Sequence, residues 1–360
     1  MSGASPSPGA SARPAGQAPG DPAGTDTGDV LTFGETMVAL RGGGPLRLGG
    51  TMRLSVAGAE SNVAIGLARL GHPVRWTGAV GDDEAGALVL RTLRAEGVDV
   101  TGVSRDPRAP TGLVLFEPRL PQVTRVHYYR AGSAGSRLGP DVVERAFASR
   151  TPRVLHLTGI TPALGPSARE ATRRAMELAR AHRCLVSLDV NYRARLWDTE
   201  AARALLAALV PQVDVLVASA DELSLCLGAD DAPPRRRASA EPARPGPDPA
   251  DTLAPAGELL ARGVGQVVVK LGSDGAVCHT AHGAVHRPAR PVRAVDPVGA
   301  GDAFVAGYLS GLLDGEDPAG RLERAVTTGA FAVATTGDWE GAPTRAELGL
   351  LGSAPGTVLR

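Results

Sequence analysis

Hydrophobic positions fall into two rhythms along the chain. Short apolar runs that end in polar residues or glycine read as strands: "DVLTFGE" (Asp29–Glu35), "RVLHLTG" (Arg153–Gly159), "CLVSLDVN" (Cys184–Asn191), "VDVLVAS" (Val213–Ser219) and "QVVVKLG" (Gln266–Gly272). Helical spacing separates most of them. "AESNVAIGLARLG" (Ala59–Gly71) predicts a helix closed by a glycine cap, and "EAGALVLRTLRAEG" (Glu84–Gly97) predicts a second. Strands alternating with helices imply an α/β, doubly wound, mostly parallel sheet with helices on both faces. Ligands of such sheets bind beyond the carboxyl ends of the strands. Asp189, Asn191, Ser219 and Lys270 occupy those ends, and Glu35 follows the first strand. Asp189 reads as a strand-end cap with no assigned role. Glu35 reads equally well as a solvated carboxylate.

The rhythm breaks twice. "PLRLGGTMRLSVAG" (Pro45–Gly58) and "TGLVLFEPRLPQVTRVHYYRAGS" (Thr111–Ser133) predict strands joined by turns, with no helix between them. They are expected to form a small antiparallel sheet, placed as a lid over a cleft to shield a reaction from water. Residues 1–28 are rich in Ala, Gly, Pro and Ser without an apolar stretch, which predicts a disordered tail rather than a signal peptide. Residues 229–256 combine prolines with like-charge clusters and predict a flexible surface insertion. Its "PRRR" is read as solvated loop in preference to a binding patch. One domain over 29–352 and a short tail over 353–360 complete the division.

Composition narrows the function classes. The chain has 360 residues, 43% of them hydrophobic, so a large core is expected. Its 38 basic and 38 acidic residues cancel, giving no general pull toward nucleic acid or a membrane surface. Cys184, Cys226 and Cys278 stand far apart, which indicates neither a disulfide framework nor a zinc ribbon. No apolar run reaches membrane-spanning length. A cytoplasmic protein is the expectation. "CHTAHGAVH" (Cys278–His286) carries metal-ligand residue types, but Gly283 predicts a hairpin turn, and a solvent-exposed hairpin is preferred to a zinc site.

The densest chemistry lies in "AVDPVGAGDAFVAGYLSGLL" (Ala294–Leu313). Gly299, Ala300 and Gly301 precede an apolar helix, so small residues and helix N-terminal N–H groups together form an anion site. Asp302 then sets a carboxylate beside that site. A carboxylate repels a stored phosphate, but it suits a base that takes a proton from a hydroxyl attacking phosphorus. A capping aspartate after a glycine turn is the competing structural explanation.

That stretch resembles the signature of the ribokinase-like (PfkB) carbohydrate kinases. "AGAESNVAIGLARLG", "WTGAVGDDEAG", "RVHYYRAGSAGSRL", "LHLTGITPAL", "SLDVNYRARLW" and "GDWEGAP" follow the order and spacing of 2-keto-3-deoxygluconate kinases within that family. The resemblance implies a small β lid and ATP-dependent phosphorylation of the terminal hydroxyl of 2-keto-3-deoxygluconate. It implies that Asp302 is the catalytic base and that Gly299, Ala300 and Gly301 form the anion hole. It implies sugar-acid contacts from Gly58 through Asn62, from Tyr128 and Arg130 on the lid, from Arg193 near the phosphates, and from Asp338. It implies ATP contacts from Asn191, Arg193, Ser219, Lys270, Gly272, Ser273, Gly275 and the anion hole. Glu222 matches the magnesium-associated glutamate. Mg²⁺ is the implied cofactor, a monovalent cation is compatible with the pattern, and a homo-oligomer through the lid sheet is implied. Two arginines near one pocket suit the carboxylate of a sugar acid. Val114, Ala57 and Val326 depart from the family pattern, at a substrate tyrosine, a glycine and a nucleotide-facing asparagine respectively.

Three other readings stay open at this point. The first is a kinase of this fold for fructose, ribose or a deoxy-gluconate relative. The second is a nicotinamide-dependent dehydrogenase, which the missing G-x-G-x-x-G after the first strand argues against. The third is a non-catalytic sugar-acid sensor, which the intact Asp302 loop argues against.

Overall fold

The computed structural model describes residues 29–120, 123–228, 249–352 and 357. The expected N-terminal tail, residues 229–248 of the expected insertion, and nearly all of the expected C-terminal tail lie outside the described residues. In chain order the strands are β1 (Val30–Phe33), β2 (Met37–Gly42), β3 (Met52–Ala57), β4 (Val74–Thr77), β5 (Ala79–Gly81), β6 (Ser104–Asp106), β7 (Leu113–Leu120), β8 (Val123–Tyr129), β9 (Val154–Thr158), β10 (Leu185–Asp189), β11 (Val215–Ser219), β12 (Gln266–Lys270), β13 (Ala276–Thr280) and β14 (Gly283–Arg287). The helices are α1 (Ala59–Arg69), α2 (Glu84–Ala95), α3 (Pro140–Ser149), α4 (Ile160–Ala163), α5 (Pro166–His182), α6 (Thr199–Leu209), α7 (Leu223–Cys226), α8 (Leu253–Ala261), α9 (Ala300–Leu313) and α10 (Pro318–Val333).

Continuous apolar runs produce strands buried on both faces, as in β1 and β9, where every residue is buried. They assemble into an eight-stranded sheet of order β14-β13-β12-β11-β10-β9-β1-β4. From β12 to β4 the pairing is parallel, and β13 and β14 close one edge antiparallel. Alternate side chains feed two core layers. Leu31, Phe33, Leu155, Leu188 and Leu216 pack with α3, α5 and α6, whereas Val30, Trp76, Val154, Val217 and Val268 pack with α1, α2 and α9. Helix α9 is buried from Ala303 to Gly311. It lies so close to α1 that a Cβ on Gly66 would stand 2.6 Å from the Ala306 methyl.

The small sheet is present, with order β3-β2-β7-β8. It includes β2, which the sequence reading did not pick out. Strands β2 and β7 run parallel, and the other two pairings are antiparallel. Its inner face, Met37, Ala39, Ala57, Val114 and Phe116, packs on Val298 of the turn before α9.

Three local expectations are corrected. Residues 45–58 contribute only one strand, because Leu46–Leu48 forms a 3-10 turn. Residues 249–256 are ordered: Pro249–Thr252 is a 3-10 turn that leads into α8. Pro255 is tolerated there because a first-turn N–H has no intrahelical partner to lose. The β13–β14 hairpin turns at Gly283 as expected, but β13 is not exposed. His279 is 3% exposed and bonds Thr252, so this imidazole serves packing.

Candidate active site

Parallel strands place their carboxyl ends along one edge, and that edge carries most of the expected residues. Lys270 ends β12, and its ammonium donates to both oxygens of Asp189 at 2.8 and 3.0 Å. The pair spans β11, which lies between β10 and β12. Burial alone would lower the Lys270 ammonium. Asp189 and then Glu222 more than offset this, so it sits above its ordinary value. Asp189 therefore has a partner and a place in the site, neither of which its reading as a strand-end cap supplied.

Asn191 follows β10 with φ +40°, a left-handed conformation that asparagine tolerates better than most residues. The Glu222 carboxylate staples this turn to the end of β11. One oxygen accepts from the Tyr192 N–H at 2.7 Å, and the other accepts from the Ser219 N–H at 2.8 Å. A carboxylate has about four lone-pair sites, so both oxygens keep capacity. The residues fit a Mg²⁺ that arrives with phosphates and waters, as Mg²⁺ usually does, rather than a metal caged by protein. Among the described residues no cluster of three or more His, Cys, Asp or Glu could hold a metal. Gly272, Ser273 and Gly275 lie in the turn after β12. Gly272 and Gly275 have φ of +62° and +92°.

Gly299 caps α9 with φ +76°, and a Cβ there would stand 1.7 Å from the carbonyl oxygen of Asp338. Both the dihedral and the contact require glycine. Ala300 and Gly301 begin the helix, and Asp302 lies in its first turn. Across from it, Asn62 in α1 donates from Nδ2 to Asp302 Oδ2 at 2.8 Å. Burial pushes the Asp302 carboxyl up to about 7. The Asn62 bond pulls it down, the Asp189 charge pushes it up, and the Lys270 and Arg193 charges pull it down. Arg193 is exposed, with Nη1 donating to its neighbour's carbonyl at 3.3 Å.

Two expected substrate residues have protein partners. Arg130 donates from Nε to Glu35 Oε2 at 2.6 Å, with its Nη2 at 2.5 Å from the same oxygen. Its guanidinium lies 5.6 Å from the ring centre of Tyr128, which is half exposed. Glu35 is 3% exposed, so it is a buried anchor for Arg130 and not a solvated carboxylate. Asp338 accepts from Arg41 Nη2 at 2.6 Å. Burial pushes its carboxyl up to about 6, Arg41 opposes this, and Glu340 and Asp296 add to it. Gly58 precedes α1 in extended backbone, and its Ser61-bonded carbonyl closes the first turn. Beside it, Glu60 is buried and accepts from Thr158 and Thr161, and burial raises its carboxyl above the ordinary range.

Arg41 and the anchoring by Glu35 escaped the sequence reading, whereas Glu60 lies inside the expected Gly58–Asn62 stretch. Arg41 had a readable signal: it is a charge at the inward-facing alternation of Met37 and Ala39.

Among the described residues no helix is long and apolar enough to cross a membrane. Residues 28–345 match the pfkB family carbohydrate kinases. The chain is 38% identical over 325 residues to a 2-dehydro-3-deoxygluconokinase of Thermoproteus tenax, covering 88% of this chain and 92% of that one. It is 35% identical over 334 residues to a 2-dehydro-3-deoxygluconokinase of Bacillus subtilis, covering 92% and 97%. Its structure resembles that of a ribokinase II from E. coli in complex with ATP and Mg²⁺, with TM-score 0.78, 25% identity and coverage of 90% and 98%. The sheet order, the glycine-capped helix carrying Asp302 and this match over most of the chain lead to one conclusion: the protein belongs to the pfkB family of carbohydrate kinases.

Proposed function

We propose that the enzyme transfers the γ-phosphoryl group of ATP to the terminal hydroxyl of 2-keto-3-deoxygluconate, the compound also called 2-dehydro-3-deoxygluconate. The observation that carries the mechanism is Asp302, a carboxyl pushed up to about 7 at the start of α9. A base poised near neutrality accepts a proton readily while a substantial fraction of it is ionised near pH 7. Asp302 takes the hydroxyl proton, the hydroxyl oxygen bonds the γ-phosphorus, and the bond to the β–γ bridging oxygen breaks to release ADP. N–H groups of Gly299, Ala300 and Gly301 stabilise charge on the transferring group. Asn191, Ser219, Lys270 and the Gly272–Gly275 turn hold the nucleotide. Glu222 would hold Mg²⁺, which screens the phosphate charge when bound. The small sheet closes over the acceptor, with Tyr128 and Arg130 toward it. Asn62 orients Asp302.

The substrate assignment draws on relatives named for this acceptor at 38% and 35% identity. One observation favours a second reading, a kinase of the family for a neutral sugar: Glu35 already offsets the charge of Arg130. The guanidinium still keeps donors on its other edge for a carboxylate. The outer face of the small sheet exposes Leu54 and Tyr129, which supports a homodimer through it in a cytoplasmic enzyme.

The test is ADP release from Mg·ATP with 2-keto-3-deoxygluconate, its galactonate epimer, gluconate, fructose, ribose and no sugar. Turnover confined to the keto-deoxy acids is expected. Turnover with fructose or ribose instead would move the enzyme to another branch of the family.

A further inference from the structure

We infer that Arg41 is a positioning residue for phosphoryl transfer: it fastens the small sheet to the turn that carries Gly299, Ala300 and Gly301, so that sheet placement and anion-site geometry are set together. The inference rests on the kinase reading above, but not on the identity of the sugar.

Arg41 faces inward from β2 and is bound on three sides. Nη1 donates to Asp296 Oδ2 at 3.1 Å, Nη2 donates to Asp338 Oδ2 at 2.6 Å, and the guanidinium lies 4.0 Å from the ring centre of Phe116. Phe116 is its register partner on β7. A planar fork stacked on an aromatic ring has little freedom left.

Its two acidic partners shape the anion turn from either side. Asp296 Oδ1 accepts from the Val298 N–H at 3.1 Å, and its Oδ2 accepts from the Gly337 N–H at 3.3 Å. Asp338 supplies the carbonyl that lies against Gly299. A second tie runs from β3, where Ser55 Oγ donates to Glu340 Oε1 at 2.6 Å. Val298 itself packs into the inner face of the small sheet.

Asp296 and Asp338 thus converge on one guanidinium, and the Glu340 charge lies close enough to Asp338 to act on it. Moving the sheet away withdraws that cation and leaves like charges facing one another in a partly buried turn. The turn then relaxes, and the N–H groups that should meet the transferring phosphoryl group lose their aim. Sheet closure and assembly of the anion site become one event.

The test compares Arg41→Met, Arg41→Lys and Ser55→Ala with wild type, using whichever acceptor wild type phosphorylates. Arg41→Met should lower kcat about 10- to 100-fold, the scale of a small misplacement of reacting groups, with the KM for ATP within about twofold. Hydrogen exchange of the full chain supplies a readout independent of activity: amides over 296–302 and 337–341 should exchange faster in Arg41→Met. Arg41→Lys should restore only part of kcat, because an ammonium cannot span both carboxylates. Unchanged kcat in folded Arg41→Met, or slowed turnover with unchanged exchange over 296–302, overturns the inference. If Arg41→Met does not fold, wild-type kcat in both Arg41→Lys and Ser55→Ala overturns it, and a loss in either with faster exchange supports it. A wild type that phosphorylates only a neutral sugar defeats the substrate assignment and leaves this comparison intact.

Discussion

The amide of Asn62 donates to Oδ2 of Asp302 at 2.8 Å, joining helices whose residues lie 240 positions apart. The bond is the strongest influence holding down a carboxyl that burial raises. It is available because α1 and α9 pack closely at Gly66 and Ala306.

Replacing Asn62 by Ala removes a donor that favours the carboxylate. The Asp302 carboxyl should then titrate above about 7. The acid limb of the kcat/KM–pH profile should move to higher pH, so the variant loses more activity at pH 6 than at pH 9. A profile with its midpoint unmoved would detach Asn62 from the base.

Asp302→Asn should cut kcat by about 10²–10⁴-fold, the range of a lost general base, and leave ATP binding intact. Its effect on stability has the opposite sign. The folded carboxyl is raised from 3.8 to about 7, so ionising it inside the site costs stability as pH rises across that interval. The variant should match wild type below pH 4 and exceed it at pH 8, by up to about 4 kcal/mol. Denaturant melts at the two pH values check both signs.

Lys270→Met leaves the Asp189 carboxylate buried without its cation. The expected cost is about 3–5 kcal/mol, because breaking a buried pair strands a charge. Lys270→Met/Asp189→Leu should recover much of that stability in chemical denaturation without recovering activity. Equal instability of the single and double variants would show that the pair is not the source.

Gly299→Ala should be among the most damaging small changes in the chain. The left-handed dihedral costs about 1–3 kcal/mol for a side-chain-bearing residue, and the added methyl overlaps the Asp338 carbonyl. Loss of several degrees in Tm together with near-complete loss of turnover is expected. A variant with normal turnover would mean that the turn can open without consequence.

Glu35→Ala frees Arg130 from its anchor at a buried site. The KM for the sugar acid should rise about tenfold or more, with the KM for ATP unchanged, as for Arg130→Ala. Steady-state kinetics with each substrate varied separate the two. An unaltered sugar-acid KM in both variants would remove the carboxylate-clamp role of Arg130.

Much of the site was legible because its chemistry is local. The glycine turn, its helix and Asp302 are contiguous, so their spacing offered either an anion site with a base beside it or a capping aspartate, and the resemblance to the PfkB kinases favoured the first. Strand-end residues were legible for a related reason: the carboxyl edge of a parallel sheet is fixed once the strands are recognised. The partners of those residues were not legible. Lys270 reaches Asp189 over an intervening strand, and Arg130 finds Glu35 95 residues away in the chain. Arg41 passed as one more arginine because its carboxylates lie 255 and 297 residues away.

The sequence by itself determined the alternation of strands and helices, the parallel sheet that follows from it, and the aspartate directly after the glycine turn, since backbone periodicity and turn chemistry act over a few residues. Tertiary structure decided which charges neutralise one another, which carboxyls are raised, and how the small sheet is tied to the anion turn. Those outcomes depend on burial and on distances of a few ångströms between distant segments. Coulombic and desolvation energies are set there and not along the chain.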